Sequence, residues 1–186
     1  MVRHALVLTA LVLLAGCVNY NIASPEPKLA KDFEKHPEMS KAMLSAESLV
    51  LYEGLPHQAR EVELYKHELA TKETVRLDGF DFYVAPIEVS TDDAKRLVEL
   101  HASLDAVKAL RQDEPCGKFH PDFALVGKVG EEPAVIHFCF GCGEVLTIIG
   151  DEKMYSDMTG EGEEMFGDVL WKYAKNRPPA KKLLKS

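Results

Sequence analysis

Positive charge is in short supply. The 186 residues carry 22 Lys and Arg against 30 Asp and Glu, a net charge of −8. Phosphate binding needs a basic surface, so nucleic acid is excluded as the expected partner. The same deficit argues against wide adhesion to anionic lipid head groups. The apolar run at residues 5–14 (ALVLTALVLL) is ten residues long, whereas a membrane-spanning helix needs about 20. Also missing are a Ser-His-Asp order, a Walker loop and a dinucleotide-binding glycine pattern. No internal repeat is visible. With 46% hydrophobic residues, the chain can build one domain with a real core.

The first 16 residues read as a targeting segment. Arg3 and His4 give a cationic start, residues 5–14 an apolar core, and Leu14, Ala15, Gly16 and Cys17 a lipobox. This resembles the signal of bacterial lipoproteins. The resemblance implies cleavage before Cys17, a diacylglyceryl group on its thiol and a further acyl chain of the palmitate class. Several chains on one residue anchor stably where one would be marginal. Val18 follows the cysteine, which by the same resemblance points to the outer membrane. Cleavage removes one cation, Arg3, and takes the net from −8 to −9. Residues 17–28 would form a lipidated tether, 29–178 a single domain and 179–186 a basic tail.

Within the domain, residues 29–47 suggest one or two short helices and 48–52 a strand. Residues 60–69 suggest a helix with Val62, Tyr65 and Leu69 on one face. Residues 80–86 read as a strand. Ser90 with Asp93 reads as a helix start, and Leu97, Leu100, Leu104 and Val107 as the apolar stripe of one or two helices filling 92–111. Residues 123–129, 134–140 and 144–149 read as three consecutive strands. A final helix covers 161–175, with Phe166, Val169, Leu170 and Tyr173 buried. The expected fold class is α+β: a small antiparallel three-stranded meander packed with several helices.

Chemistry concentrates in one cluster. Once lipid consumes Cys17, Cys116, Cys139 and Cys142 remain. His120 lies near Cys116, and His137 precedes Cys139. Three readings stay open. Cys116, His120, Cys139 and Cys142 would make a Cys3His zinc site, with His137 as a reserve ligand on the face of Cys139. Alternatively, export makes a disulfide the default, with one cysteine left over. Redox catalysis through Cys139 and Cys142 is the third, but their CxxC leads into a strand rather than a helix N-terminus. His120 is an acid–base group beside Asp122 or a loop residue bonded to backbone. Glu144 is expected to share a face with neither cysteine. Nothing in their spacing gives His57 or His67 a partner.

Five blocks stand in order: residues 51–57 (LYEGLPH), 79–83 (GFDFY), 116–122 (CGKFHPD), 139–144 (CFGCGE) and 173–178 (YAKNRP). In this arrangement the chain resembles a family of exported bacterial proteins from planctomycete-type genomes. The resemblance covers most of 48–178. It departs at Gly127, near where an aromatic is expected. No activity is established for that family, so the resemblance bounds a site without naming its chemistry. The reading is therefore a membrane-anchored envelope lipoprotein, a non-enzymatic binding or structural module. Its membrane contact is the N-terminal lipid, and its partner would be a protein or small molecule. The alternative is a thiol–disulfide or metal-dependent enzyme.

Overall fold

The computed structural model describes residues 31–110 and 119–177. The signal segment, Cys17, the tether, Cys116 and the basic tail from residue 178 lie outside the described residues. The fold is α+β, but its sheet is larger than a three-stranded meander. Six antiparallel strands run in the order β1-β5-β6-β7-β8-β4. They are β1 Glu47–Glu53, β4 Val107–Ala109, β5 Phe123–Val129, β6 Glu132–Cys139, β7 Glu144–Ile149 and β8 Glu152–Met158. The three strands expected from sequence are the inner β5, β6 and β7. Beyond them, β8 adds to β7, β1 closes against β5, and β4 closes against β8.

A separate hairpin pairs β2 (Thr74–Leu77) with β3 (Phe80–Tyr83). Its turn is Asp78-Gly79, with φ of 51° and 94°. Positive φ at both central positions matches the twist of the flanking strands.

Strand alternation sorts the sheet into two faces. On β6, Ala134, Ile136 and Phe138 face the main core, where α1 (His36–Met43), α3 (Thr91–Ala102) and α4 (Gly160–Leu170) pack. Val135 packs with Phe82 of the hairpin, and Cys139 with Phe119. The sheet is thus covered by helices on one side and by the hairpin and the 119–122 segment on the other.

Several expected faces need correction. In α2 (Val62–Thr71), Val62 and Leu69 are exposed, and the buried positions are Leu64 and Glu68. Glu68 is drawn inward because Tyr83 donates its hydroxyl to it at 3.0 Å. The helix after Ser90 stops at Ala102, so Leu104 is exposed and Val107 belongs to β4. The Ser90 start is as expected, with its side chain accepting from the Asp93 amide. Gly160 and Gly162 lie in the first turn of α4.

If α3 ends at Ala102, its two candidate core leucines separate energetically. Leu97→Ala, in a fully buried site, should cost about 2–5 kcal/mol. Leu104→Ala should stay within about 0.5 kcal/mol. Urea unfolding of the two variants measures both, and equal costs would restore the longer helix.

Candidate functional site

All five sequence blocks meet at one end of the sheet. The approach starts at Gly54, just after β1. A Cβ there would stand 2.0 Å from the Pro121 carbonyl oxygen, so only glycine lets the two segments touch. The Gly54 amide donates to the Asp122 carbonyl at 2.8 Å, and the Asp122 amide to the Phe138 carbonyl at 2.7 Å. Behind them, the Leu55 amide reaches the Asp81 carbonyl of the hairpin, and Phe80 packs edge-on against Phe119.

The C-terminal segment closes the assembly through two carboxylates. Buried Glu53 accepts from the backbone amides of Lys175, Asn176 and Arg177 and from the Asn176 side chain, at 2.8–3.0 Å. Arg177 then spreads its guanidinium over three acceptors: Asp122 Oδ1 at 2.6 Å, the Leu55 carbonyl at 2.9 Å and Glu61 Oε2 at 3.4 Å. The other Asp122 oxygen accepts the Phe140 amide at 2.8 Å. One residue near the C-terminal end of the described chain therefore fixes the β1 exit, the 119–122 segment and the β6–β7 loop together.

Two histidines face each other inside this frame. The His57 and His120 rings are 4.8 Å apart, and both residues are buried. His120 Nε2 lies 2.7 Å from the Leu55 carbonyl. A carbonyl only accepts, so Nε2 carries the proton. His57 Nδ1 accepts from the Ala59 and Arg60 amides, at 3.0 and 3.2 Å. Its proton therefore sits on Nε2, which is buried and has no hydrogen-bond partner among the described residues. His101 and His137 also leave a ring nitrogen unmatched. At His137 the Asp78 carboxylate takes the Nε2 proton at 2.9 Å, so its unmatched atom is an acceptor. His57 Nε2 and Arg177 Nε are both buried donors with no partner among the described residues, the rarer condition in proteins.

Burial lowers the pKa of both His57 and His120; the Arg60 charge lowers His57 further. Both imidazoles are neutral near pH 7.

The cysteines take a different form from any four-ligand set. Cys139 is free and fully buried, and Cys142 is disulfide-bonded. Amides of His120 and Cys142 point at the Cys139 sulfur, the latter at 3.2 Å. Burial nevertheless pushes the thiol up to about 11. His137 is on the face of Cys139, one residue pair along β6, but Asp78 and the Phe80 and Phe82 rings hold it. Glu144 is directly opposite Cys139 in the β6–β7 register. It therefore shares that face, contrary to the sequence expectation. Among the described residues no group of three His, Cys, Asp or Glu is arranged to hold a metal; the set that includes Cys116 extends beyond them.

Sequence reasoning missed His57 and Arg177. Their signal was present as block membership, not as spacing: each stands at or next to the end of a block without cysteines. No protein-family model, curated protein or solved structure matches the chain.

Two outcomes follow from this geometry. Arg177→Ala should destabilise the domain by about 2–4 kcal/mol, because it strands the Asp122 carboxylate in a buried setting. Arg177→Lys should recover only part of that, since an ammonium lacks the fork. Denaturant midpoints test this, and full rescue by Lys would refute the fork.

The second outcome is a pH dependence. His57, His120 and His137 have lowered pKa values, and His101 falls to about 3 through burial. Above about pH 6.5 these groups are neutral folded or unfolded and give no slope. Below it the unfolded chain takes up protons first, so stability falls with pH, by at most about 1.4 kcal/mol per unit for each histidine. Unfolding midpoints measured from pH 7 to 4 check the sign; a flat profile would contradict it.

Proposed function

We propose that this chain is an exported envelope lipoprotein, anchored through lipid on Cys17, whose folded domain is a non-enzymatic binding module. Its binding centre is the His57–His120 pair and the Asp122–Arg177 frame around it. One observation supports this reading: the buried His57 Nε2 proton, for which no acceptor stands among the described residues. An unmet buried donor costs about 1–3 kcal/mol. A domain whose frame holds that donor so firmly is built to offer it to an acceptor oxygen of a ligand. Arg60, exposed and 3.4 Å from the Gly141 carbonyl, stands at the outer edge of the same site.

The disulfide at Cys142 supports a structural role for the cysteine loop. Once Cys17 is lipidated, the partner left for Cys142 is Cys116, and that bond would fasten the segment before His120 to the β6–β7 loop. Thiol–disulfide or metal-dependent catalysis by Cys139 and Cys142 has less behind it. A buried thiol near 11 is about one part in a thousand thiolate at pH 8, and the thiolate is both the nucleophile and the metal ligand. A zinc site at Cys116, His120, Cys139 and Cys142 would require reducing the Cys142 bond first.

Three measurements test the parts separately. Cys17→Ser should abolish acylation of the N-terminus and release the protein from membranes; a variant that stays membrane-bound refutes the anchor. For the site, imidazole NMR signals are followed while acetate, inorganic phosphate or a small amide is added. The expected result is a saturable shift of the His57 resonances with one probe class, absent in His57→Phe. No response to any of the three would sink the binding reading. Cys139 should also resist an aromatic disulfide reagent at pH 8 until the protein is unfolded, and rapid labelling of the native state would reopen the redox reading.

A further inference from the structure

The outward face of α4 forms a groove unlike the rest of the surface. Gly160, Glu163, Glu164, Gly167, Asp168 and Trp171 recur at three- and four-residue spacing and so share one side of the helix. With Phe140 and Lys172 they line an open groove of about 840 Å³. Its floor is aromatic: the Trp171 ring lies 4.7 Å from Phe140 and 5.5 Å from Phe123. Trp171 is nonetheless 47% exposed. A Cβ on Gly167 would come within 3.2 Å of that ring, so a helix-weakening glycine is what lets the indole lie across the helix. The rim is acidic. Glu163, Glu164 and Asp168 are exposed and make no ion pair among the described residues, while Lys172 is committed to Asp93 at 2.7 Å.

We propose that this groove docks the chain's own basic segment at residues 181–185 (KKLLK). Lys181, Lys182 and Lys185 would meet the three carboxylates, and Leu183 and Leu184 would cover Trp171 and Phe140.

Charge complementarity is the first argument. Three cations and two leucines match three unpaired carboxylates around an aromatic floor. The second is position. The described chain leaves at Arg177, which is bonded to Asp122. Asp122 in turn holds the Phe140 amide, and Phe140 is a wall of the groove. Four to eight residues beyond Arg177 reach roughly 13–27 Å when extended, and the groove face from Gly160 to Trp171 is about 16 Å long, with its carboxylates within about 8 Å. The short linker gives an effective concentration on the order of millimolar, enough for exposed charges to pair measurably at low salt. Docking there places the segment against the Cys139–Cys142 loop.

The sequence contains a single tryptophan, so intrinsic fluorescence reports on the groove alone. In the full chain, Trp171 should emit at shorter wavelength and resist acrylamide more than in the tail variant K181E/K182E/K185E. High salt should reproduce the variant's spectrum, because exposed pairs are screened beyond about 10 Å at 0.1 M. The reverse charges E163K/E164K/D168K should also expose Trp171, and combining the two sets should restore protection. Rescue by the double set separates docking from damage to α4. Identical emission and quenching in the full chain and the tail variant would overturn the proposal, whatever the helix variant does. So would a tail variant that loses binding to phosphatidylglycerol vesicles with Trp171 unmoved, which would assign the segment to a lipid surface.

Discussion

The guanidinium of Arg177 holds together three segments that are far apart in the chain. It bonds Asp122, the Leu55 carbonyl and Glu61 at once, while Glu53 fixes the backbone on which Arg177 stands. A planar fork can serve several acceptors at fixed angles, which a point charge cannot. Both charges are largely withdrawn from water, with side-chain exposures of 19% for Arg177 and 10% for Asp122. Such a pair adds little over an apolar substitute but is costly to break. Its effect is to specify one arrangement of the loops around His57 and His120.

Neutral histidine does similar work between the layers. Five of the seven histidines are buried. His36 reaches the His101 carbonyl and ties α1 to α3. His101 reaches Thr147 and ties α3 to the sheet, and His137 reaches Asp78 and ties the sheet to the hairpin. For His101 and His137, whose pKa values burial lowers, a neutral ring offers one donor and one acceptor without a charge to desolvate, which suits a link across an apolar interface. His57 differs because both its backbone contacts use the acceptor. The donor that His36 and His137 give to a neighbouring layer is left over at the site.

What could be read from the sequence follows the range of the forces involved. The inner strands β5, β6 and β7, the Ser90 cap and Phe166, Val169 and Leu170 of α4 are local patterns, and the structure has them; the helix expected to reach residue 175 ends at Leu170, and Tyr173 is buried from the 3-10 turn that follows. Strand β8 was overlooked because Glu152-Lys153-Met154-Tyr155 looks polar, although Met154, Ser156 and Met158 alternate inward. The hairpin of β2 and β3 was announced by Asp78-Gly79 between β-branched and aromatic residues, a signal that was available and unused. Leu104 and Val107 continued the spacing of α3 but lie past its end, where periodicity alone gives no stop. At the site, the Cys/His cluster drew attention through sequence proximity. The His57–His120 contact and the Arg177 clasp span 63 and 55 residues of sequence, and no local period reports such contacts.

The state of Cys139 shows how parity and burial decide chemistry. As the last residue of β6 it points to the hairpin face, where Phe119, Leu146 and Ile148 enclose it. Two amides aim at its sulfur and would favour a thiolate. Against them stand desolvation, the Asp122 charge and Glu144 across the strand pair, and these prevail. The shift from 9.0 to about 11 corresponds to about 2.7 kcal/mol against ionisation. One residue earlier or later, the side chain would face the helices instead. Three residues later, at Cys142, the chain has left the strand, and the sulfur there is disulfide-bonded. The spacing that suggests a reactive pair therefore places its two members in different environments: one a buried thiol that accepts hydrogen bonds, the other a disulfide-bonded sulfur.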